Sequence, residues 1–165
     1  MNAKTKSLCT LPMPYPRINV ERRDVMSARR LSSAYAGNGG ELSAILFYTY
    51  AALMTENDEL KDTLECVSIT EMKHLEILGK LIKALGGDPK FYDWNTRRYF
   101  DASKVEYRAS DERIIRSALE SERAAVKHYR ALLDSTNDKS VKDILKRIIL
   151  DEEHHIKIFT ELSGR

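Results

Sequence analysis

Residues 41–48, ELSAILFY, return 81 positions later as residues 122–129, ERAAVKHY, and residues 71–77, EMKHLEI, return as 152–158, EEHHIKI. What survives the shift is Glu-x-x-Ala-x-x-x-Tyr in the first pair and Glu-x-x-His-x-x-Ile in the second. In each copy, 30 residues separate the lone Glu from the Glu of Glu-x-x-His. Four carboxylates and two imidazoles are thereby kept in register: Glu41, Glu71, His74, Glu122, Glu152 and His155. A repeat of this length reads as one supersecondary unit used twice. The six conserved-in-register side chains read as the ligand set of a two-metal site.

Helical periodicity says which of these polar groups are buried, because positions four, seven and eleven apart share a face. Glu41 shares its face with Ile45, Tyr48 and Ala52, and Glu71 with Leu64, Val67, Leu75, Leu78 and Ile82. Glu122 lies among Ile115, Ala118, Val126, Tyr129 and Leu133, and Glu152 among Val141, Leu145, Ile148, Ile156 and Phe159. Each Glu is therefore mid-stripe on an apolar side. Each His is about 60° round and about one turn along from its Glu, so both reach the same side.

Local signals place the elements. Residues 1–23 form an extended arm, since Leu11-Pro-Met-Pro-Tyr-Pro16 repeatedly fixes φ and blocks helix. Residues 24–165 form the bundle. A first helix runs from Asp24 or Ser27 to Thr55, with Gly37-Asn-Gly-Gly40 as a break, a bulge or a close helix approach. A second starts after Asn57-Asp58 and stops at Gly86-Gly87-Asp88-Pro89. A third spans Ser110 to Asp134, and a turn at 135–139 leads to a fourth ending near Ser163. Short loops within each hairpin and a long aromatic-rich crossover at 87–109 give an all-α four-helix bundle of two duplicated hairpins.

Composition narrows the function classes. The 165 residues are 42% hydrophobic and 32% charged, with seven Gly and four Pro, which suits one helical globular domain. A net charge of +2 gives no argument for nucleic acid or membrane as the main partner. Arginines 17, 22, 23, 29 and 30 alternate with acids and read as a solvated helix face or subunit contact more readily than a phosphate patch. Cys9 and Cys66 are distant and form no Cys-x-x-Cys, so a disulfide, a zinc site or a rubredoxin-type iron centre is not expected, and Cys66 reads as packing. The longest apolar run, residues 44–54, is too short to span a bilayer. With no apolar segment near the N-terminus to act as a secretory signal, the expected location is cytoplasmic.

Four carboxylates converging in a low-dielectric core would cost several kcal/mol per unpaired charge. Two divalent cations balance four Glu and two neutral His to zero, with bridging carboxylates holding the ions about 3.5–4 Å apart. A Glu from each of two helices plus a Glu-x-x-His from each of the other two is the known pattern of ferritin-like di-metal proteins. The chain accordingly resembles that superfamily, most of all the erythrin part of rubrerythrins and the small manganese-catalase relatives, over residues 24–163. The resemblance implies two Fe or two Mn per chain, a homodimer, and a site that reacts with hydrogen peroxide or O2. Two departures stand out. No four-cysteine rubredoxin segment is present, so a peroxidase would need an external donor such as a rubredoxin. Rubrerythrins also carry an extra Glu one turn after the third-helix ligand, where this chain has Ala125.

Neighbouring residues have readings of their own. Tyr48 and Tyr129 either hydrogen-bond ligand carboxylates or fill the core. Asp151 and Thr70 each precede a ligand Glu, and Asp151 either accepts the second ring N–H of His74 or is a plain surface carboxylate. Glu120, Glu153 and His154 point away from the stripe, and His128 reads as a surface residue. Three functions compete. A peroxide-consuming oxidoreductase, peroxidase or catalase, needs a monomer or dimer; a ferroxidase or storage protein needs a hollow shell; a structural protein needs no metal.

Overall fold

The computed structural model describes residues 9–164. Five helices account for most of them: α1 (Val25–Ala36), α2 (Glu41–Met54), α3 (Asp58–Ala84), α4 (Asp111–Asp134) and α5 (Lys139–Ser163). The expected first helix thus arrives in two pieces. Gly37–Gly40 is a break, and close packing of the chain on itself requires glycine there. A Cβ on Gly40 would lie 2.5 Å from the Ala34 carbonyl oxygen, and Gly39 has φ +76°. The turn ends at Glu41, which becomes the first residue of α2.

The other boundaries follow their local signals. Asn57 caps α3 by accepting from the Leu60 amide at 3.1 Å. The same helix closes with Gly86 at φ +87°, its N–H on the Lys83 carbonyl and that of Gly87 on Ile82. Asp138 caps α5 through the Val141 amide at 3.0 Å. The α2–α3 and α4–α5 pairs are hairpins with loops of only a few residues, as the repeat requires.

The crossover is less plain than expected. It contains a two-stranded antiparallel hairpin, β1 (Tyr92–Asp93) with β2 (Arg98–Tyr99), and a 3₁₀ turn at Ala102–Lys104. Buried Asp93 organises the hairpin turn by accepting from the Asn95 amide and the Thr96 hydroxyl at 2.8 and 2.9 Å.

The larger correction concerns the cysteines. Cys9 and Cys66 form a disulfide, with Cα atoms 5.9 Å apart. A separation of 57 residues hid this, because only the folded path of the arm brings Cys9 against α3. Residues 9–23 carry no regular secondary structure and pack on the bundle, with contacts to both α3 and α5; residues 1–8 of the expected arm lie outside the described residues. The Asn19 amide donates to Ser140 and that of Glu21 to Asp138. Arg29, itself exposed, sits over the Trp94 ring, and Arg30 donates to the Ser135 carbonyl at the surface.

Two apolar cores occupy the two ends of the bundle. One joins α1 to the C-terminal half of α3, the end of α4 and the start of α5. The other joins α2 to the N-terminal half of α3, the start of α4 and Phe159 of α5. Between them lies a polar layer. Among the described residues no helix is long and apolar enough to cross a membrane.

Candidate metal centre

All six repeat-register residues meet in that layer, each no more than 4% exposed and both histidines at 0%. Their donor atoms fall into two groups, Glu41, Glu71, His74 and Glu152 in one and Glu71, Glu122, Glu152 and His155 in the other, each within 4.8 Å. Glu71 and Glu152 belong to both. His74 Nδ1 is 3.0 Å from Glu71 Oε2 and 3.1 Å from Glu152 Oε1. His155 Nδ1 is 3.1 Å from Glu71 Oε1 and 3.3 Å from Glu152 Oε2. Each shared carboxylate therefore offers one oxygen to each half. Glu41, 3.7 Å from His74, and Glu122, 3.5 Å from His155, complete the halves singly.

Donors this close suit a small cation, since ligands about 2.1 Å from one ion at right angles lie about 3 Å apart. Glu71 Oε1, Glu152 Oε1 and His155 Nδ1 are buried without an aligned hydrogen-bond partner, all aimed into the layer. Such orphaned atoms need an explanation, and an ion supplies one. The cluster could hold two metal ions.

The titration behaviour shows the same charge imbalance. Burial, then the charges of Glu71 and Glu152, raise the Glu41 carboxyl well above its ordinary range. Burial and Glu152 push Glu122 up to about 7 against the pull of His155. For Glu71, burial and Glu122 are outweighed by the pull of the neighbouring His155 and His74, which draw it down to about 2. Burial disfavours charge on His74 and His155, yet the surrounding carboxylates raise both well above the ordinary imidazole value. Protons thus balance the cluster where cations do not.

The surrounding residues lock the ligands. Tyr48 donates to Glu122 and Tyr129 to Glu41, so each tyrosine serves the other repeat's carboxylate. Their hydroxyls are raised well above the usual value by burial and by those same carboxylates. His74 Nε2 is 3.2 Å from Asp151 Oδ2 and 3.1 Å from the Tyr15 hydroxyl. Tyr15 itself donates to Asp151 at 2.6 Å. Burial disfavours the charge on Asp151, but hydrogen bonds from His74, Arg147, Tyr15 and the Leu11 amide hold it well below the usual carboxylate range. His155 Nε2 is 2.9 Å from the Cys9 carbonyl oxygen. A carbonyl only accepts, so Nε2 carries a proton, and Nδ1 is the ring nitrogen that faces the cluster and would offer its lone pair to a cation. Thr70 touches neither histidine in these contacts; it bonds Thr10 of the arm at 2.7 Å.

Cys9, Tyr15 and buried Arg147 escaped the sequence reading. Only Arg147, one helical turn before Asp151 and 2.6 Å from it, left a signal there. Glu120 is exposed and Glu153 pairs with Arg130 at 2.6 Å, both away from the cluster, and His154 is part-buried. His128 differs from its surface reading. It is part-buried, 2.9 Å from Ser33 Oγ, and lines a cavity of ≈ 20 Å³ that reaches all four carboxylates past Gly39, Gly40 and Ala125.

Similarity to known proteins extends over most of the chain. Residues 31–163 match the sequence profile of the Rubrerythrin family. The chain is 23% identical to a probable manganese catalase of Clostridium acetobutylicum, over 90% of this chain and 75% of that one. It is 28% identical to a 3-demethoxyubiquinol 3-hydroxylase of Francisella tularensis, over 76% of this chain but only 61% of that protein's length. A manganese catalase from Anabaena PCC7120 superposes with TM-score 0.85 and 27% identity, covering 92% of this chain and 77% of that one. A bacterioferritin from Desulfovibrio desulfuricans, at TM-score 0.71 and 24% identity over 84% and 78%, shares the fold. The architecture is that of a ferritin-like bundle.

Proposed function

Because the chain belongs to the rubrerythrin family within the ferritin-like di-metal superfamily, we propose that its buried cluster is a two-metal redox centre that disproportionates hydrogen peroxide, 2 H2O2 → 2 H2O + O2. Glu41 and His74 would hold one ion and Glu122 and His155 the other, with Glu71 and Glu152 shared between them. Iron or manganese suits this oxygen-rich set. Such a pair, when bound, exchanges two electrons with the O–O bond.

The observation that carries the reading is the near-twofold equality of the two halves together with the size of the opening. The protein's part is positioning and exclusion. Glu71 and Glu152 present an oxygen to each half, and the Tyr48 and Tyr129 hydroxyls fix the single carboxylates. The histidine side is closed by Asp151, Tyr15 and the Cys9 carbonyl. The carboxylate side opens through the ≈ 20 Å³ cavity, room for about one water-sized molecule. A narrow opening of this kind suits a small oxidant such as peroxide or O2. Ala125, where rubrerythrins carry an extra Glu, lines the cavity and leaves each half with the same ligand types. That favours an exchange between two peroxides over one that draws electrons from a separate donor such as a rubredoxin.

Protein loaded with Mn(II), and separately with Fe(II), is given peroxide while an oxygen electrode follows gas release. Half an equivalent of O2 per peroxide without reductant is expected, lost in Glu71→Ala and Glu152→Ala. Unchanged rates in those variants defeat the assignment. Peroxide loss that needs a reductant and releases no O2 replaces catalase with peroxidase.

A further inference from the structure

We infer that residues 9–15 are a strap that positions both histidine ligands, and that the Cys9–Cys66 disulfide is the latch that closes it. The inference rests on the metal-centre reading above but not on which reaction the centre performs.

The strap touches both halves of the site from outside. At one end the Cys9 carbonyl accepts from His155 Nε2 at 2.9 Å, while the Cys9 side chain is bonded to α3. At the other, the Leu11 amide and the Tyr15 hydroxyl donate to Asp151 at 3.0 and 2.6 Å, and Asp151 faces His74 Nε2. Equivalent positions of the two repeats hold the strap between these points, Thr70 through Thr10 and Asp151 through Leu11. Arg147 clasps it from α5, donating to the carbonyls of Leu11 and Met13 at 2.9 and 3.1 Å.

The repeat explains why a strap is needed. Asp151, one before the ligand Glu of α5, orients His74. Its counterpart on α3 is Thr70, which supplies no carboxylate. A backbone carbonyl takes that place for His155, and it belongs to a residue tied down covalently at Cys66. Without the bond, the described contacts left to hold the Cys9 carbonyl against His155 are those of Thr10 and the residues after it.

Opening the latch is ordinary dithiol chemistry. A reducing dithiol passes two electrons and two protons to the Cys9 and Cys66 sulfurs, the S–S bond breaks, and the dithiol leaves as its own disulfide. Peroxide reverses it: the two thiols give up two electrons and two protons to H2O2, which leaves as two waters. Cytoplasmic disulfides are usually transient and redox-sensing. A latch of this kind would tighten the centre when peroxide is present.

The test measures metal retention, not turnover. Wild-type protein loaded with Mn(II) is compared oxidised, reduced with tris(2-carboxyethyl)phosphine, and reoxidised with one equivalent of peroxide, with free thiols counted in each. Metal release to a chelator is followed well below the melting temperature. Release is expected to be about 10–100-fold faster in the reduced form and in Cys9→Ser, the usual effect of losing a ligand's outer partner. Reoxidation should restore slow release. In Tyr15→Phe, which keeps the disulfide, one of the two ions should be lost faster while the other is retained. Equal release from oxidised and reduced protein, both folded by circular dichroism, overturns the latch; so does failure of peroxide to restore retention. Oxidised wild type that binds no metal overturns the metal-centre reading itself, and the latch with it.

Discussion

Tyr48 and Tyr129 show how a side chain's partner can differ from what its own helix suggests. Each lies seven residues after a ligand Glu, on the same face, yet seven residues are about 10.5 Å of helix, too far for a hydrogen bond. The spacing told that both tyrosines face the cluster; it could not tell that Tyr48 serves Glu122 and Tyr129 serves Glu41. That exchange arises only when α2 and α4 lie side by side. Removing either hydroxyl leaves a buried carboxylate with one donor fewer, a loss of about 1–3 kcal/mol. Tyr48→Phe and Tyr129→Phe should therefore lower metal affinity by similar factors of about 10–100, each in one half of the site. Competition titration with a chromogenic chelator reads this directly. Variants that bind both ions as tightly as wild type would show that the hydroxyls only fill space.

At the level of elements, the helix ends carry the information that the residue pattern lacks. Periodicity runs without a change of phase obvious enough to separate α1 from α2, but the glycine turn separates them physically. Gly40 decides where Glu41 stands, because any Cβ there would strike the Ala34 and Ser33 carbonyls. Gly40→Ala should shift the start of α2, costing on the order of 1–3 kcal/mol and weakening the Glu41 half of the site before the Glu122 half. Paired melting and metal-stoichiometry measurements test this; full stoichiometry with an unshifted melt would count against a positioning role for the turn. The cap of α1 gives a pH-dependent counterpart. Asp24 accepts from the Met26 and Ser27 amides and the Ser27 hydroxyl, and that hydroxyl, then the Ser27 amide, lower its pKa. A carboxyl lowered on folding stabilises above its unfolded value, about 3.9, and that contribution fades as pH falls through the folded value. Asp24→Ala should cost about 1 kcal/mol near neutrality, with the difference from wild type shrinking below pH 4 in denaturant titrations. A gap that stays constant into acid would exclude the cap charge as its source.

In the whole molecule, two apolar cores are separated by a layer of six ionisable side chains, and that arrangement ties stability to occupancy. The repeat disclosed the hairpins, the crossover and the convergence of the six groups, because all of these follow from periodicity within helices. The strap stayed hidden, since Cys9 meets Cys66 at a separation of 57 residues, and Cys9 with His155, Tyr15 with Asp151 and Met13 with Arg147 meet across more than 130. Only the closed fold creates those contacts. Protons can balance the layer, but an ion at each half binds the folded chain and finds no matching site in the unfolded one. At a free metal concentration of 100 Kd, each site adds about 2.7 kcal/mol. For a chain of this size that corresponds to a melting temperature higher by about 5–11 °C per ion. Loaded protein should therefore melt well above protein stripped by a chelator, in one transition, because neither core can open without breaching the layer. Loaded and stripped samples melting within a degree of each other, or two separate transitions unaffected by metal, would mean that the polar layer is not what couples the two ends. The same samples run on a sizing column distinguish the catalase reading from iron storage, since a small oligomer fits the first and only a hollow shell fits the second.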